Sequence, residues 1–402
     1  MDAVSSAVLS SAKQAVELAI GLVGAMTFFL GLMRVASDAG AVQGVARLLS
    51  PVLRRLFPDV PPGHPALGSM VLSLASTALG LGNAATPFGI KAMQQLDELN
   101  PEKGTATDAM VLFLAMNTAG LCILPTSILA LRSASGSADP AGVLVPIWLA
   151  SSAAALTGIV AAKALARLPV YRESAGSAAA PGDGAGAPEK KAPPASRTRR
   201  WAPLLAGAYA SAFAAALVLH WSRSGGEIGR EVLSFWILPA LVGGIILLGW
   251  MRGVRVFPSL VEGGKEGFDV AIRVLPYLVV VLVAVGMFRA SGGLDLLVDA
   301  LRPLTTAMGF PAEAVPVALM RPLSGSGAYA LAADAIRAHG PDSLVGYLVS
   351  TLHGSTETTF YVLAVYFGAV GVKRTRHALL ACLLADAAGV ATATVLVHLL
   401  FG

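Results

Sequence analysis

Long apolar runs separated by short polar breaks dominate the chain. A membrane-spanning helix needs about 20 mostly apolar residues. Eight stretches meet or approach that length: 16–33, 110–131, 143–165, 204–221, 232–250, 274–288, 344–370 and 378–401. Two of them are interrupted by polar residues, around Asn117 and around Glu357. Two further apolar segments are too short or too broken to span. Residues 65–81 lead through Gly82-Asn83-Ala84-Ala85-Thr86-Pro87 into a helix-like run over 88–99. Residues 314–323 lead through Ser324-Gly325-Ser326-Gly327 into a run over 329–338. Each predicts a re-entrant hairpin that turns at a glycine-rich tip and leaves on the side it entered.

Between Pro169 and Arg200 the pattern stops, and 20 of the 32 residues there are Ala, Pro, Gly or Ser. Such a segment reads as a flexible linker. It separates a first half, 1–168, from two connecting spans within 201–251 and a second half, 252–402. The halves share an order of five elements: a span, an amphipathic stretch closing at a proline (Pro51, Pro303), a hairpin, a broken span beginning at an aspartate (Asp108, Asp342), and a plain span. Five elements in the same order point to an internal repeat.

Composition then settles the class. Of the 402 residues 55% are hydrophobic and 13% are charged, against about 25% charged in soluble domains. Mean hydropathy is +0.70. A soluble core cannot hide that much apolar surface, so the expectation is an all-α polytopic membrane protein. The net charge of +5 suggests nucleic acid until the basic residues are located. They lie in loops and above all in the linker and its flanks, among them Lys163, Arg167, Lys190, Lys191 and Arg200. They therefore report orientation, with the linker cytoplasmic. Following the spans from there gives the halves opposite orientations, with one hairpin entering from each side. Cys122 and Cys382 sit in apolar runs with no metal-like spacing. No cleavable signal is read at the N-terminus.

Polar groups at membrane depth are costly and usually have a role. In the first hairpin, Asn83 and Thr86 add side-chain polarity that a plain turn does not need, and Pro87 is expected to open the outgoing helix. In the first broken span, Asn117, Thr118, Gly120 and Pro125 suggest local unwinding; a proline kink with hydroxyl back-bonding is the bland alternative. In the second hairpin, Ser324 and Ser326 flank a possible nest of backbone N–H groups, with Arg321 the nearest cation. The second broken span holds the sharpest signal, His353-Gly354-Ser355-Thr356-Glu357-Thr358-Thr359. Glu357 has no cation within a helical turn, so it must be protonated, paired across the bundle or bound to a ligand. Arg321 is the nearest plausible partner. Asp386 is a second intramembrane acid, with His353 or Arg376 as candidate partners. Asp108 and Asp342 read as N-terminal caps of the broken spans.

At these residues the chain resembles a known family. GLGNAATPFGIKAMQQLDELNP and FLAMNTAGLCILPTSILALR in the first half resemble the spore maturation protein A family. ALMRPLSGSGAYAL, HGSTETTFYVLAVYFGAVGVKRTRHAL and LLADAAG in the second resemble the spore maturation protein B family. The chain thus looks like a fusion of the two, whose shared module is the nucleoside-recognition or Gate domain. That module is similar to parts of concentrative nucleoside transporters and ferrous-iron permeases. The resemblance implies inverted-topology repeats, each with a re-entrant hairpin and a discontinuous helix. The permeases carry a cysteine near the position of Asn83, and its absence here argues against soft-metal chemistry. Ser-Thr-Glu-Thr in the second broken span resembles the polar Thr-Glu segments of nucleoside transporters, which implies a role in coordinating sodium or substrate for Ser355, Thr356 and Glu357 alone.

The resulting expectation is a multi-pass protein of the bacterial inner membrane that moves a small polar solute, nucleoside-like or otherwise. Asn83, Thr86, Asn117, Thr118, Ser324, Ser326, Ser355, Thr356 and Glu357 are its candidate binding residues. Glu357, Arg321, His353 and Asp386 are candidates for ion coupling or pairing. Expected partners are the lipid bilayer and the solute, not nucleic acid, and a homo-oligomer is compatible with the pattern. No cofactor is expected beyond Na+ or H+ coupling, no catalytic residue and no metal ligand. The alternatives are a non-transporting scaffold or accessory factor in envelope or spore maturation, and a divalent-metal permease.

Overall fold

A computed structural model describes residues 2–61, 63–80, 82–171, 237–293 and 309–402, with isolated positions between them. The span at 204–221, the linker from 172 onward and most of the stretch leading to Pro303 lie outside the described residues. Among the described residues the chain is helical, with no strand and a single isolated bridge between Thr105 and Arg374.

In chain order the helices are α1 (Asp2–Asp38), α2 (Ala41–Leu56), α3 (Pro65–Ala78), α4 (Gly82–Glu98), α5 (Asp108–Thr118), α6 (Thr126–Ala134) and α7 (Leu144–Ala166). The second half continues with α8 (Ile237–Met251), α9 (Val256–Ala290), α10 (Val315–Met320), α11 (Gly325–His339), α12 (Leu344–Ser355), α13 (Thr359–Gly368) and α14 (Ala378–Phe401). The helices α7 and α14 are each long and apolar enough to cross a bilayer unaided. The pair Val23–Asp38 and Ala41–Leu56, bent by 66°, adds a third span if taken as one. Hydropathy alone led to eight. The spans at 110–131 and 344–370 are each two short helices, because a polar break divides their apolar length.

Two other boundaries differ from expectation. The amphipathic helix α2 passes through Pro51 and ends at Leu56. Pro51 is exposed, so the bond it removes is lost on the solvated or lipid side rather than in the core. The helix α4 begins at Gly82, which places Pro87 inside it rather than at its first position.

The longest contact is between α1 and α9, which run antiparallel. Small residues bring their backbones together. A Cβ on Gly263 would lie 2.8 Å from the Leu30 carbonyl oxygen and 2.9 Å from the Gly31 Cα. One on Gly267 would lie 2.5 Å from the Met26 carbonyl oxygen. This Gly-x-x-x-Gly spacing permits close van der Waals contact where no hydrophobic force separates helix from lipid. At one end Arg34 joins the pair, reaching Glu266 at 2.7 Å and Asp38 at 3.3 Å.

Two apolar clusters make up most of the core. One gathers Ile128, Leu131, Leu144, Ile147, Leu348 and Leu352 from α6, α7 and α12. The other gathers Phe57, Met70, Met93, Phe113 and Tyr366 around α3, α4, α5 and α13. The first broken span contributes α5 to one cluster and α6 to the other; the second contributes α13 and α12 in the opposite sense. Both breaks therefore fall between the clusters.

Replacing Gly267 with Val is expected to destabilise the protein by about 1–3 kcal/mol. The comparison is Gly24→Ala, where nothing lies within 4 Å of the added methyl. Thermal melting of the detergent-solubilised protein separates the two: a lower midpoint for Gly267→Val and none for Gly24→Ala.

Candidate functional site

A helix break exposes carbonyl and N–H groups that have no water to bond in an apolar interior. Here the breaks draw their partners from each other and from neighbouring elements. The Glu357 N–H in the second break donates to the Thr118 carbonyl at the end of α5, at 2.8 Å. The Ile123 N–H in the first break donates to the Ala78 carbonyl at the end of α3, at 2.6 Å. Trp148 Nε1 donates to the Ile123 carbonyl at 2.8 Å. The Phe360 N–H donates to the Pro322 carbonyl at 3.0 Å. Two glycines allow this approach. Gly120 has φ +57°, and a Cβ there would meet the Thr356 carbonyl carbon at 2.9 Å. Gly80 has φ +72°, and its Cβ would meet the Leu124 carbonyl oxygen at 2.7 Å.

Arg321 fastens the second hairpin to the same crossing. It is buried at the end of α10. One terminal nitrogen donates to the Thr356 carbonyl, and Nη1 donates to Thr358 Oγ1 at 3.1 Å. Its Nη2 is 3.7 Å from Glu357 Oε2. The guanidinium therefore spends its best hydrogen bonds on the break itself. The carboxylate of Glu357 is 48% exposed.

Glu357 opens into a cavity of about 330 Å3. Of the residues singled out in the sequence, Arg321, Ser326, His353, Thr356 and Glu357 line it. His353 Nδ1 is buried and has no hydrogen-bond partner among the described residues, and the ring lies 5.3 Å from that of Tyr329. Asn117, Thr118, Ser324 and Ser355 do not line it. Asn117 is buried and donates to the Phe113 carbonyl at 2.8 Å, while its Oδ1 accepts from Ser73 at 3.3 Å. The Thr118 hydroxyl donates to the Ala115 carbonyl at 3.0 Å. Ser324 caps α11, accepting from the Gly327 N–H at 3.1 Å. Ser355 is buried against its own helix. Thr86 lies in the first turns of α4. The Asn83 side chain lies outside the described residues.

Asp386 pairs with neither expected partner. It is 5% exposed, and its Oδ2 accepts from Thr359 Oγ1 at 2.7 Å. Arg376 is instead engaged by Asp108 at 2.7 Å, by the Ala106 carbonyl and by the Tyr171 carbonyl. This corrects the capping roles as well. Thr107 caps α5, accepting from the Met110 N–H at 3.2 Å, and Ser343 caps α12, accepting from the Gly346 N–H at 3.0 Å. With hydroxyls capping at those positions, both aspartates pair across the molecule. Asp342 binds Arg132 at 2.8 Å. The Arg132 side chain is fully buried, also donates to the Pro341 and Asp139 carbonyls, and lies 4.3 Å from the Tyr347 ring centroid. The start of each broken helix is thus held to the end of the other. Backbone bonds reinforce one of these ends, where Lys373 and Arg374 both donate to the Gly104 carbonyl.

Sequence reasoning assigned no site role to several cavity residues. Cys122, Thr126, Ser127 and Tyr329 line it. The first three flank Gly120 and Pro125, so a break so marked is itself the signal that its neighbours face a cavity. Tyr329 carried no such signal, being one aromatic residue in an apolar run.

The arrangement defines a helical membrane protein whose centre is built from two interrupted helices. The chain belongs to the Gate family, described as nucleoside recognition, whose model matches residues 19–135 and 271–373. It is 50% identical over 170 residues to spore maturation protein B of Bacillus subtilis (strain 168), covering 42% of this chain and 96% of that protein. It is 40% identical over 157 residues to spore maturation protein A of the same organism, covering 39% of this chain and 80% of that protein. The two likenesses are consistent with a fused A/B protein. No solved structure matches the chain.

Substituting Asp342 with Ala removes the carboxylate paired with the buried Arg132. The expected loss is about 3 kcal/mol, near the lower end for a broken buried pair because Asp342 is itself partly exposed. Chemical or thermal unfolding in detergent measures it. An Arg132→Met/Asp342→Leu double variant should recover part of the loss.

Proposed function

We propose that this is a multi-pass protein of the bacterial inner membrane with transporter architecture. In this reading 1–168 and 252–402 are inverted repeats, joined by a cytoplasmic linker at 169–200 and two connecting spans within 201–251. The hairpins α3–α4 and α10–α11 are re-entrant. The reciprocal pairing Asp108–Arg376 and Arg132–Asp342 supports the inversion, since inverted repeats would exchange one pair for the other. So does the antiparallel contact of α1 with α9, the first spans of the two halves.

The central cavity takes a small polar solute. One observation carries this reading: a cavity of about 330 Å3 lies where the two breaks cross, with the Glu357 carboxylate open to it. That volume is at the lower end for small-molecule sites. Glu357 binds the solute or a coupling Na+ or H+, and Ser326, Thr356 and Arg321 supply hydrogen bonds. Asn117, Thr118, Ser324 and Ser355 hold the surrounding backbone, and no catalytic residue is assigned. A second reading, a non-transporting scaffold in envelope or spore maturation, draws on the names of the two relatives and on the Arg321–Glu357 approach of 3.7 Å.

A thermal-shift panel of nucleosides, amino acids, Na+ and divalent metals on the purified protein tests the two. A transporter shows a concentration-dependent stabilisation by one solute class, and Glu357→Gln weakens it by tenfold or more. A flat panel, or a hit that Glu357→Gln leaves unchanged, favours the scaffold.

A further inference from the structure

We infer that the membrane edge between the C-terminal ends of α2 and α7 is a binding site for the headgroup of an anionic phospholipid. A cavity of about 240 Å3 opens there, against the start of α5. Its floor is apolar, formed largely by Phe57, Leu112 and Ala162, and Lys163 and Arg167 stand at its rim.

The face of α7 that leads to this rim carries the first part of the argument. Lys163 and Arg167 are four residues apart, so they lie one above the other on the helix. Leu149, Leu156 and Val160 share that face by helical spacing, and the last two are each 65% exposed. A stripe of exposed aliphatic side chains that ends in two cations is complementary to one kind of molecule, an acyl chain carrying a negative headgroup. Snorkelling accounts for cations at the end of a membrane helix. It does not account for a cavity beside them.

The helix α2 supplies the second part. It is amphipathic, contains no acidic residue, and presents Arg47, Arg54 and Arg55 on its exposed side. Leu48 and Val52 are exposed next to these arginines. That is the composition of a helix lying in the plane of an anionic membrane surface. Basic pockets between membrane helices on the cytoplasmic side are suited to anionic lipid headgroups.

The local charge balance agrees. Asp59 and Asp108 also line the cavity. Asp108 is engaged by Arg376 at 2.7 Å, so its charge is already matched. Asp59 remains against Lys163 and Arg167, and Arg54 and Arg55 lie just before it in the chain. The net positive field favours a headgroup of net negative charge over a zwitterionic one.

Native mass spectrometry of the full chain, purified in detergent and mixed with equal amounts of phosphatidylglycerol, cardiolipin and phosphatidylcholine, tests the site. The wild-type protein should retain the two anionic lipids in preference to phosphatidylcholine. A Lys163→Gln/Arg167→Gln variant should lose roughly 30-fold in that preference, the change for two surface cations. Its melting midpoint in phosphatidylcholine nanodiscs should equal the wild type's, which separates lost binding from lost folding. Equal anionic preference in variant and wild type would overturn the proposal. So would full displacement of the lipid by millimolar inorganic phosphate, which would mark a free-anion site. Nothing in this test depends on the solute site at the centre.

Discussion

Backbone hydrogen bonding inside an apolar environment is the constraint on which the centre of this protein depends. A helix can cross a membrane because it satisfies its own backbone. Two helices here give that up where they cross, and the lost bonds are recovered from the other break, from α3 and from the segment after α10. The Glu357 N–H to Thr118 carbonyl bond is the point of exchange. Gly120 is required beside it because any side chain would strike the Thr356 backbone. Arg321 completes the exchange by donating to the Thr356 carbonyl and Thr358 hydroxyl. A cavity then follows from the fold, since unwound segments cannot pack as closely as helices.

The same constraint explains where the buried charges lie. Arg132 and Arg376 are each at the end of a broken helix, and each meets an aspartate at the start of the other. Charge-assisted bonds at both ends fix the register of the two helices, so that the breaks meet rather than pass each other. The apolar clusters on either side of the crossing hold the four half-helices in place. The α1–α9 pair, joined through glycine contacts, braces this assembly from outside with little side-chain bulk between the backbones.

Much of this was legible in the chain. Polar interruptions at Asn117–Pro125 and at His353–Thr359 located both breaks, because a run of hydroxyls and an ionisable group inside an apolar span cannot remain an ordinary helix. The glycine-rich turns at Gly80–Gly82 and Ser324–Gly327 located both helix pairs. Pairing was less legible. Asp108 and Asp342 were read as caps because an aspartate before an apolar run favours that role, yet Thr107 and Ser343, one residue away, do it instead. Asp386 drew candidate partners that lie elsewhere, since sequence distance says nothing about which helix faces which.

The sequence by itself determined the membrane environment, the helical class and the positions of the breaks. Local composition suffices for these, because hydropathy and backbone chemistry act over one or two helical turns. Only the tertiary structure decided that the two breaks cross, that Arg321 serves the backbone of one of them, and that the carboxylate of Glu357 is left open to a cavity. Those outcomes depend on contacts between residues as many as 239 positions apart, as in the bond from Glu357 to Thr118. No local pattern encodes them; the packing of α5, α6, α12 and α13 against one another does.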